Sequence, residues 1–176
     1  LHSFVASKAF GIPIDEVTPE LRRRVKAMSY GLAYGLSAYG LSAQLRISTD
    51  EAKEQMETYF TRFGGVRHYL RGVVAQAKVD GYTTTIFGRR RPFPDFNSSN
   101  RVLRDNAERA ALNSPIKGSA ADILKRAMIR IDALLREKPY RKKMLLQVHD
   151  ELVFDLATDE QEELVPKILH AMETAL

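Results

Sequence analysis

The chain has 176 residues, 44% of them hydrophobic, which is enough for one sizeable core or two small subdomains. It has no cysteine, which excludes disulfides and thiolate metal sites and fits a reducing cytoplasm. The net charge of +5 is unevenly distributed: residues 22–26, 89–91, 101–109 and 136–143 are basic, whereas 150–163 is mostly acidic. This pattern is typical of a polyanion-binding surface beside a cation site, but ordinary surface charge explains it equally well.

Helical spacing of apolar residues predicts five helices in the first half of the chain, over residues 1–10, 19–34, 41–45, 50–63 and 66–79. Thr18 can cap the second helix, Pro19 suits its first position and Gly35 suits its end. The pair Gly64-Gly65 is expected to separate the fourth and fifth helices. No apolar run reaches the length needed to span a membrane.

The second half alternates between strands and helices. A small hairpin is predicted at about 82–94, with Pro92 and Pro94 keeping its second strand short. A helix over 100–112 is expected to break at Pro115 and Gly118 and to resume over 120–136. Strands over 144–148 and 152–156 then precede a helix over 158–176 capped near Thr158. The predicted fold class is α+β, mostly helical.

The segment from Arg22 to Gly35 carries the strongest functional pattern. On a helix, Arg22, Lys26, Tyr30 and Tyr34 lie four residues apart along one slowly turning face. Two cations followed by two aromatic rings form a plausible surface for the phosphates, sugar and base of a nucleotide. The alternative is a solvated basic face with buried tyrosines, and the composition of the segment does not exclude it.

A second pattern surrounds Asp150 and Glu151, which lie between two apolar strands. Hard divalent cations such as Mg²⁺ prefer carboxylate oxygens of this kind. Adjacent strand residues point to opposite faces, so both carboxylates can face one ion only if the tip of the hairpin twists. An ordinary polar turn, in which aspartate is common, is the simpler interpretation of these residues alone.

Together, these patterns resemble the family A DNA polymerases, the bacterial DNA polymerase I group. Arg-x-x-x-Lys-x-x-x-Tyr-Gly-x-x-Tyr-Gly at 22–35 is similar to the fingers helix of that family, and Gln-Val-His-Asp-Glu-Leu-Val-Phe at 147–154 is similar to its palm motif. The Gly-Arg-Arg hairpin at 85–91 and the segment 107–122 extend the resemblance over essentially the whole chain. It implies the fingers plus part of the palm of a right-hand polymerase, with fingers at 1–113 and partial palm at 114–176.

The resemblance also implies a role for each matching residue. The incoming deoxynucleoside triphosphate would be bound by His2, Arg22, Lys26, Tyr30 and Tyr34, of which Lys26 is also a catalytic candidate. Asp150 would be a catalytic metal ligand, supported by Glu151. The primer-template DNA would be contacted by Gln147 and His149 at the primer end, and by Arg109, Asn113 and Lys117 along the minor groove, where the acceptors are nearly independent of sequence.

Two positions differ from the common family pattern. Lys117 stands where the family usually has Gln, and lysine can donate but cannot accept a hydrogen bond. This predicts either looser geometric checking of the primer end or firmer binding to the backbone. Tyr30 is the hydroxyl variant of a Phe/Tyr position, and the family pattern implies readier acceptance of nucleotides that lack a 3′-hydroxyl. The alternative is that Tyr30 only fills the volume of Phe.

The family uses two Mg²⁺ ions, and its other metal-binding aspartate lies upstream of the segment that matches this chain. Because residue 1 is Leu and no Asp-Tyr-Ser-like motif is found, we expect a C-terminal polymerase-domain fragment that does not extend a primer alone. Its partners would be DNA, deoxynucleoside triphosphates and the remainder of the parent chain. The parent would be cytoplasmic, associated with the nucleoid of a bacterium, and would not bind membranes.

Two other functions are compatible with parts of the sequence. One is a non-catalytic nucleic-acid-binding protein on a polymerase-derived scaffold, although such a protein has no need of a metal-binding carboxylate at Asp150. The other is a single-subunit phage-type RNA polymerase, a group that typically has Ser after the His-Asp pair. Glu151 and Gly31 favour the DNA enzyme.

Overall fold

The structure is a computed structural model that describes all residues, 1–176. It is mostly helical with two small sheets, in agreement with the predicted α+β class. The helices are α1 (His2–Phe10), α2 (Pro19–Ala33), α3 (Ala38–Leu45), α4 (Thr49–Arg62), α5 (Gly64–Asp80), α6 (Arg101–Arg136) and α7 (Gln161–Glu173). Short 3-10 turns occur at Ile14–Glu16, Pro94–Asn97 and Thr158–Glu160. None of the helices is both long and apolar enough to cross a membrane.

Both sheets are two-stranded antiparallel hairpins. Strands β1 (Tyr82–Thr84) and β2 (Arg90–Pro92) pair with Thr83 opposite Arg91. Strands β3 (Lys142–Val148) and β4 (Glu151–Leu156) pair in a register that ends with Val148 opposite Glu151, so that only residues 149 and 150 form the turn.

The predicted break at Pro115 and Gly118 is wrong, because α6 continues through both residues as one helix of 36 residues. A proline inside a helix removes one backbone donor and crowds the preceding turn. Next to it, the Ser114 hydroxyl donates to the Ala110 carbonyl oxygen at 2.7 Å and accepts from the Arg91 guanidinium at 2.8 Å. The Ser114 hydroxyl thus has a donor and an acceptor next to the proline. The contact with Arg91 could not be predicted from the sequence pattern.

Two smaller expectations also differ from the structure. Gly64 and Gly65 do not lie outside a helix, since they form the first turn of α5. Thr158 does not cap the last helix, because it begins a 3-10 turn and α7 starts three residues later without a side-chain cap. Both differences concern the first residues of a helix, and helix boundaries are the least reliable part of a prediction from sequence.

The chain divides into two compact units, comprising residues 1–84 with 88–115, and residues 85–87 with 116–176. The first unit has a core built around Val25, Met28 and Leu41, and a second, smaller cluster around Phe93. In the second unit, α6 and α7 bury Ile131 and Leu164 under one face of the β3–β4 hairpin. The loop residue Ile86 donates its amide to the Ser119 hydroxyl at 3.0 Å.

Candidate nucleotide and metal sites

Helix α2 begins and ends where its sequence predicts. The Thr18 hydroxyl accepts from the Leu21 amide at 3.1 Å, and Pro19 occupies the first helical position. The helix stops at Ala33, two residues before Gly35, whose φ of +71° lies in the left-handed region that favours glycine.

The two faces of α2 have different environments. Val25 and Met28 are almost completely buried, so the apolar face fixes the rotation of the helix about its axis. On the other face, Arg22 and Lys26 are exposed, while Tyr30 and Tyr34 remain 52% and 46% exposed. The expected face is therefore present, and the alternative of buried tyrosines is wrong.

Three consecutive arginines precede Lys26, and the structure separates their roles. Arg23 and Arg24 both bind Glu20, at 2.6 Å and 3.1 Å, and Arg24 also reaches Glu51 at 2.9 Å. The guanidinium groups of Arg23 and Arg24 hold the pKa of the Glu20 carboxyl below its usual value. Arg22 and Lys26 form no ion pair, so their charges are available to an external anion.

His2 joins this face from a different helix. As the first residue of α1, it places its ring 5.6 Å from the ring of Tyr30, at an interplanar angle of 58°. Burial, followed by the charges of Lys26 and Arg22, lowers the pKa of His2. The structure thus brings His2, Arg22, Lys26 and Tyr30 together as one cluster, which we call the α2 cluster.

Sequence reasoning missed Ser29. Its hydroxyl is buried and has no hydrogen-bond partner. Seven residues after Arg22 and three after Lys26, it lies on the same side of the helix. Helical spacing alone places Ser29 beside Arg22 and Lys26. A serine inside a helix is common, however, so the residue type did not indicate a functional role.

The β3–β4 turn presents the predicted carboxylates. His149 has a φ of +54°, which supplies the backbone twist that a two-residue hairpin turn requires. The Gln147 amide donates to the His149 carbonyl oxygen at 2.8 Å and braces the turn. Asp150 and Glu151 are both exposed, and neither forms an ion pair or a side-chain hydrogen bond.

The carboxylates of Asp150 and Glu151 are oxygen ligands of the kind that Mg²⁺ prefers, but two carboxylates do not complete the coordination shell of the ion. Mg²⁺ usually takes one or two carboxylates and completes its shell with phosphate and water oxygens. No group of three or more potential ligands from His, Cys, Asp and Glu is assembled in the structure. The residues fit one part of a metal site of this kind.

The three predicted minor-groove residues lie four residues apart on α6. Arg109 and Lys117 are exposed, and Asn113 is half-buried. Arg109 also donates to the Asn106 side-chain oxygen at 2.5 Å. Since the helix is continuous, this spacing places all three along one slowly turning face.

Comparison with known proteins identifies the family of the chain. The sequence model of DNA polymerase family A matches residues 1–176, and the chain belongs to that family. The predicted resemblance is thereby confirmed.

Among individual proteins, DNA polymerase I of Mycobacterium tuberculosis is 70% identical over 162 residues, covering 92% of this chain and 18% of that protein. DNA polymerase I of Mycobacterium leprae is 65% identical over 175 residues, covering 99% of this chain and 19% of that protein. The chain thus spans about a fifth of the length of these curated relatives.

A solved structure shares the fold. The POL domain of Pol1 from M. smegmatis, in complex with DNA primer-template and dNTP, superposes with a TM-score of 0.95 at 65% identity. The match covers 100% of this chain and 31% of that one. It confirms the predicted α+β class for the whole chain.

Proposed function

We propose that this chain forms the nucleotide-binding part, and one portion of the metal site, of a DNA-directed DNA polymerase. The parent protein transfers a deoxynucleotide to a primer 3′ end under the direction of a template. The observation that carries this proposal is the α2 cluster, in which Arg22 and Lys26 have no carboxylate partner. The similarity to a polymerase domain in complex with primer-template and dNTP supports it.

Each residue of the cluster has a distinct task. Arg22 offers a planar fork of donors that matches two phosphate oxygens, while Lys26 acts as a mobile point charge on the same triphosphate. His2 contacts the phosphates beside them. The Tyr30 ring packs near the sugar, and Tyr34 packs at the insertion site by the template base. The buried side of α2 holds these groups in place before the nucleotide arrives.

The β3–β4 turn supplies negative oxygens to the same reaction. Asp150 and Glu151 would hold Mg²⁺ with oxygen ligands, and Asp150 is the principal ligand of the two. When bound, the two ions supply positive charge that stabilises the attacking and leaving oxygens of phosphoryl transfer. Gln147 and His149 contact the primer end, where the amide-to-carbonyl bond of the turn keeps them in register.

The DNA duplex is bound by side chains whose contacts do not depend on the base sequence. Arg109, Asn113 and Lys117 donate to minor-groove acceptors or to phosphates. Affinity of the parent protein for primer-template should fall steeply with salt, because bound cationic side chains release counterions from the phosphates. A flat salt response would argue against these contacts.

The test replaces Lys26 by Ala in the parent polymerase and measures steady-state incorporation against nucleotide concentration. Loss of a charge-assisted contact, worth about 1.5–3 kcal/mol, should raise the nucleotide KM roughly 10-fold to 150-fold. Lys53→Ala is the matched control, since Lys53 is exposed on α4 and lies 3.5 Å from Asp50. An unchanged KM in the Lys26 variant would contradict the proposal.

A second experiment concerns the 176-residue chain alone. Because it supplies only two of the carboxylates that two-metal transfer uses, we expect no templated extension by the chain alone. A primer-extension assay with all four deoxynucleotides and Mg²⁺ compares it with the longer parent protein. Extension by the short chain would overturn this expectation, and no extension by the parent would favour the non-catalytic DNA-binding alternative.

A further inference from the structure

The ring of His2 has an unusual environment for a histidine at the start of a helix. Its Nδ1 atom is buried and has no hydrogen-bond partner, although a buried polar nitrogen usually has one. The ring packs against Tyr30 at 5.6 Å rather than extending into solvent. Its hydrogen-bonding capacity is therefore not used within the protein.

The charged groups around His2 are all cationic. Helix α1 packs against α2, α4 and the 3-10 turn Ile14–Glu16, and among these elements only α2 contributes charges that act on the ring, from Lys26 and Arg22. Tyr30 of α2 is the other titratable group facing it, and the Leu1 ammonium adds a further positive charge. Burial first, and then these charges, lower the pKa of His2 and so favour the neutral imidazole.

We propose that His2 takes up one proton from solvent when the triphosphate binds the α2 cluster, so that nucleotide affinity is linked to pH. This inference rests on the proposed function, because the same face must bind the nucleotide. No covalent bond changes: a buffer proton moves to the imidazole, and the resulting imidazolium donates from both nitrogens.

The physical cause is a reversal of the local field. An anion within about 4–6 Å favours the charged form of a histidine and raises its pKa. A triphosphate between Arg22 and Lys26 replaces the repulsion from two cations with attraction to several negative oxygens. The protein provides no acceptor for the Nδ1 atom, so no internal hydrogen bond competes with the phosphates for the imidazolium.

The experiment uses the parent polymerase bound to a primer-template whose primer ends in a dideoxynucleotide, so that the nucleotide binds without reacting. Titration calorimetry with the complementary deoxynucleoside triphosphate, in two buffers of different ionisation enthalpy, gives the number of protons taken up. Wild-type protein should take up more protons than His2→Gln, and its Kd should rise with pH by at most about tenfold per pH unit.

Titration of the γ-phosphate contributes the same proton uptake in every variant. The difference in proton uptake between the wild type and His2→Gln therefore reports on His2 alone. The matched control is His68→Gln, because His68 is exposed on α5, outside the cluster. It should retain both the proton uptake and the pH dependence of the wild type. NMR titration of the His2 ring in wild-type protein, with and without nucleotide, should show its pKa rising on binding, and this readout needs no variant to fold.

The outcomes separate the two proposals. If nucleotide binds normally but His2→Gln matches the wild type in proton uptake and pH dependence, the inference is overturned and the proposed function stands. An NMR pKa that stays unchanged on binding overturns it in the same way. If the wild type binds no nucleotide, or Lys26→Ala binds it equally well, the proposed function fails and the inference fails with it.

Discussion

Gly35 lies beside Arg109: a β-carbon placed on Gly35 would meet the Arg109 Cγ atom at 3.4 Å. The contact joins the turn that ends α2 to α6, within the first unit. Tyr34, the residue before this glycine, carries one of the two exposed rings proposed to face the nucleotide. The turn that ends α2, the helix proposed to bind the nucleotide, therefore lies beside Arg109, a proposed DNA-binding residue.

The first prediction concerns this glycine. Gly35→Ala should lower the free energy of unfolding by about 1–2 kcal/mol, because a residue with a β-carbon is strained at a φ of +71°. Urea denaturation measures the change. Gly72→Ala is the control: it lies inside α5 with no atom within 4 Å of the added carbon, and should stabilise by up to about 1 kcal/mol. Effects of the same sign in both variants would contradict the argument.

The second prediction concerns acid stability. One oxygen of Glu163 accepts from Lys167 at 2.6 Å, Lys138 at 2.7 Å and the Tyr140 hydroxyl at 2.8 Å. These donors lower the pKa of Glu163 from 4.5 to about 2. A carboxyl whose pKa is lower in the folded state contributes stability that is complete above pH 4.5 and is lost as the pH falls towards 2.

Glu163→Gln should therefore destabilise the protein by a constant amount above pH 4.5, and this difference from the wild type should shrink below it. Urea unfolding at several pH values between 2 and 6 measures the difference. Glu162→Gln, at an exposed neighbouring position, should show no comparable change. If the difference in unfolding free energy between the wild type and Glu163→Gln grew as the pH fell, the prediction would be wrong.

The third prediction tests the metal role of the β3–β4 turn. Asp150→Ala in the parent polymerase should lower turnover by on the order of 10³-fold or more, because it would remove the proposed principal metal ligand. Folding and DNA binding should be nearly intact, since Asp150 is exposed and without partners. Asp155→Asn, on the same hairpin away from the turn, is the control. Full activity of the Asp150 variant would refute a metal role.

The fourth prediction concerns the hydroxyl of Tyr30. The side chain is 52% exposed. In the proposed nucleotide site, its hydroxyl would supply a polar group near the position of a missing 3′-hydroxyl. Tyr30→Phe should reduce the use of dideoxynucleotides relative to deoxynucleotides by about 2-fold to 10-fold, the effect of one hydrogen bond. The ratio of kcat/KM values measures this. Tyr39→Phe, at a 76% exposed position, should leave the ratio unchanged, and an unchanged ratio in both would mean that Tyr30 only fills space.

Much of the candidate site was predictable because its signals are local. Thr18 and Pro19 begin α2, and the four-residue spacing from Arg22 to Tyr34 defines its face, whatever the rest of the chain does. The pairs of Glu20 with Arg23 and Arg24 follow helical spacing, but the further contact of Arg24 with Glu51 was not predictable, since Glu51 lies on another helix. The orphaned nitrogen of His2 and the hydroxyl of Ser29 were likewise invisible, because burial is a property of the packed chain.

By itself, the sequence determined the polymerase-family motifs, the mostly helical class and Thr18 as the cap of α2, because these depend on residue type and short spacing. Only the tertiary structure decided that α6 passes unbroken through Pro115, where Arg91 of a distant strand binds Ser114. It also decided that His2 lies against Tyr30, twenty-eight residues further along the chain. Contacts between residues far apart in sequence depend on the packing of whole helices, and no local pattern encodes that packing.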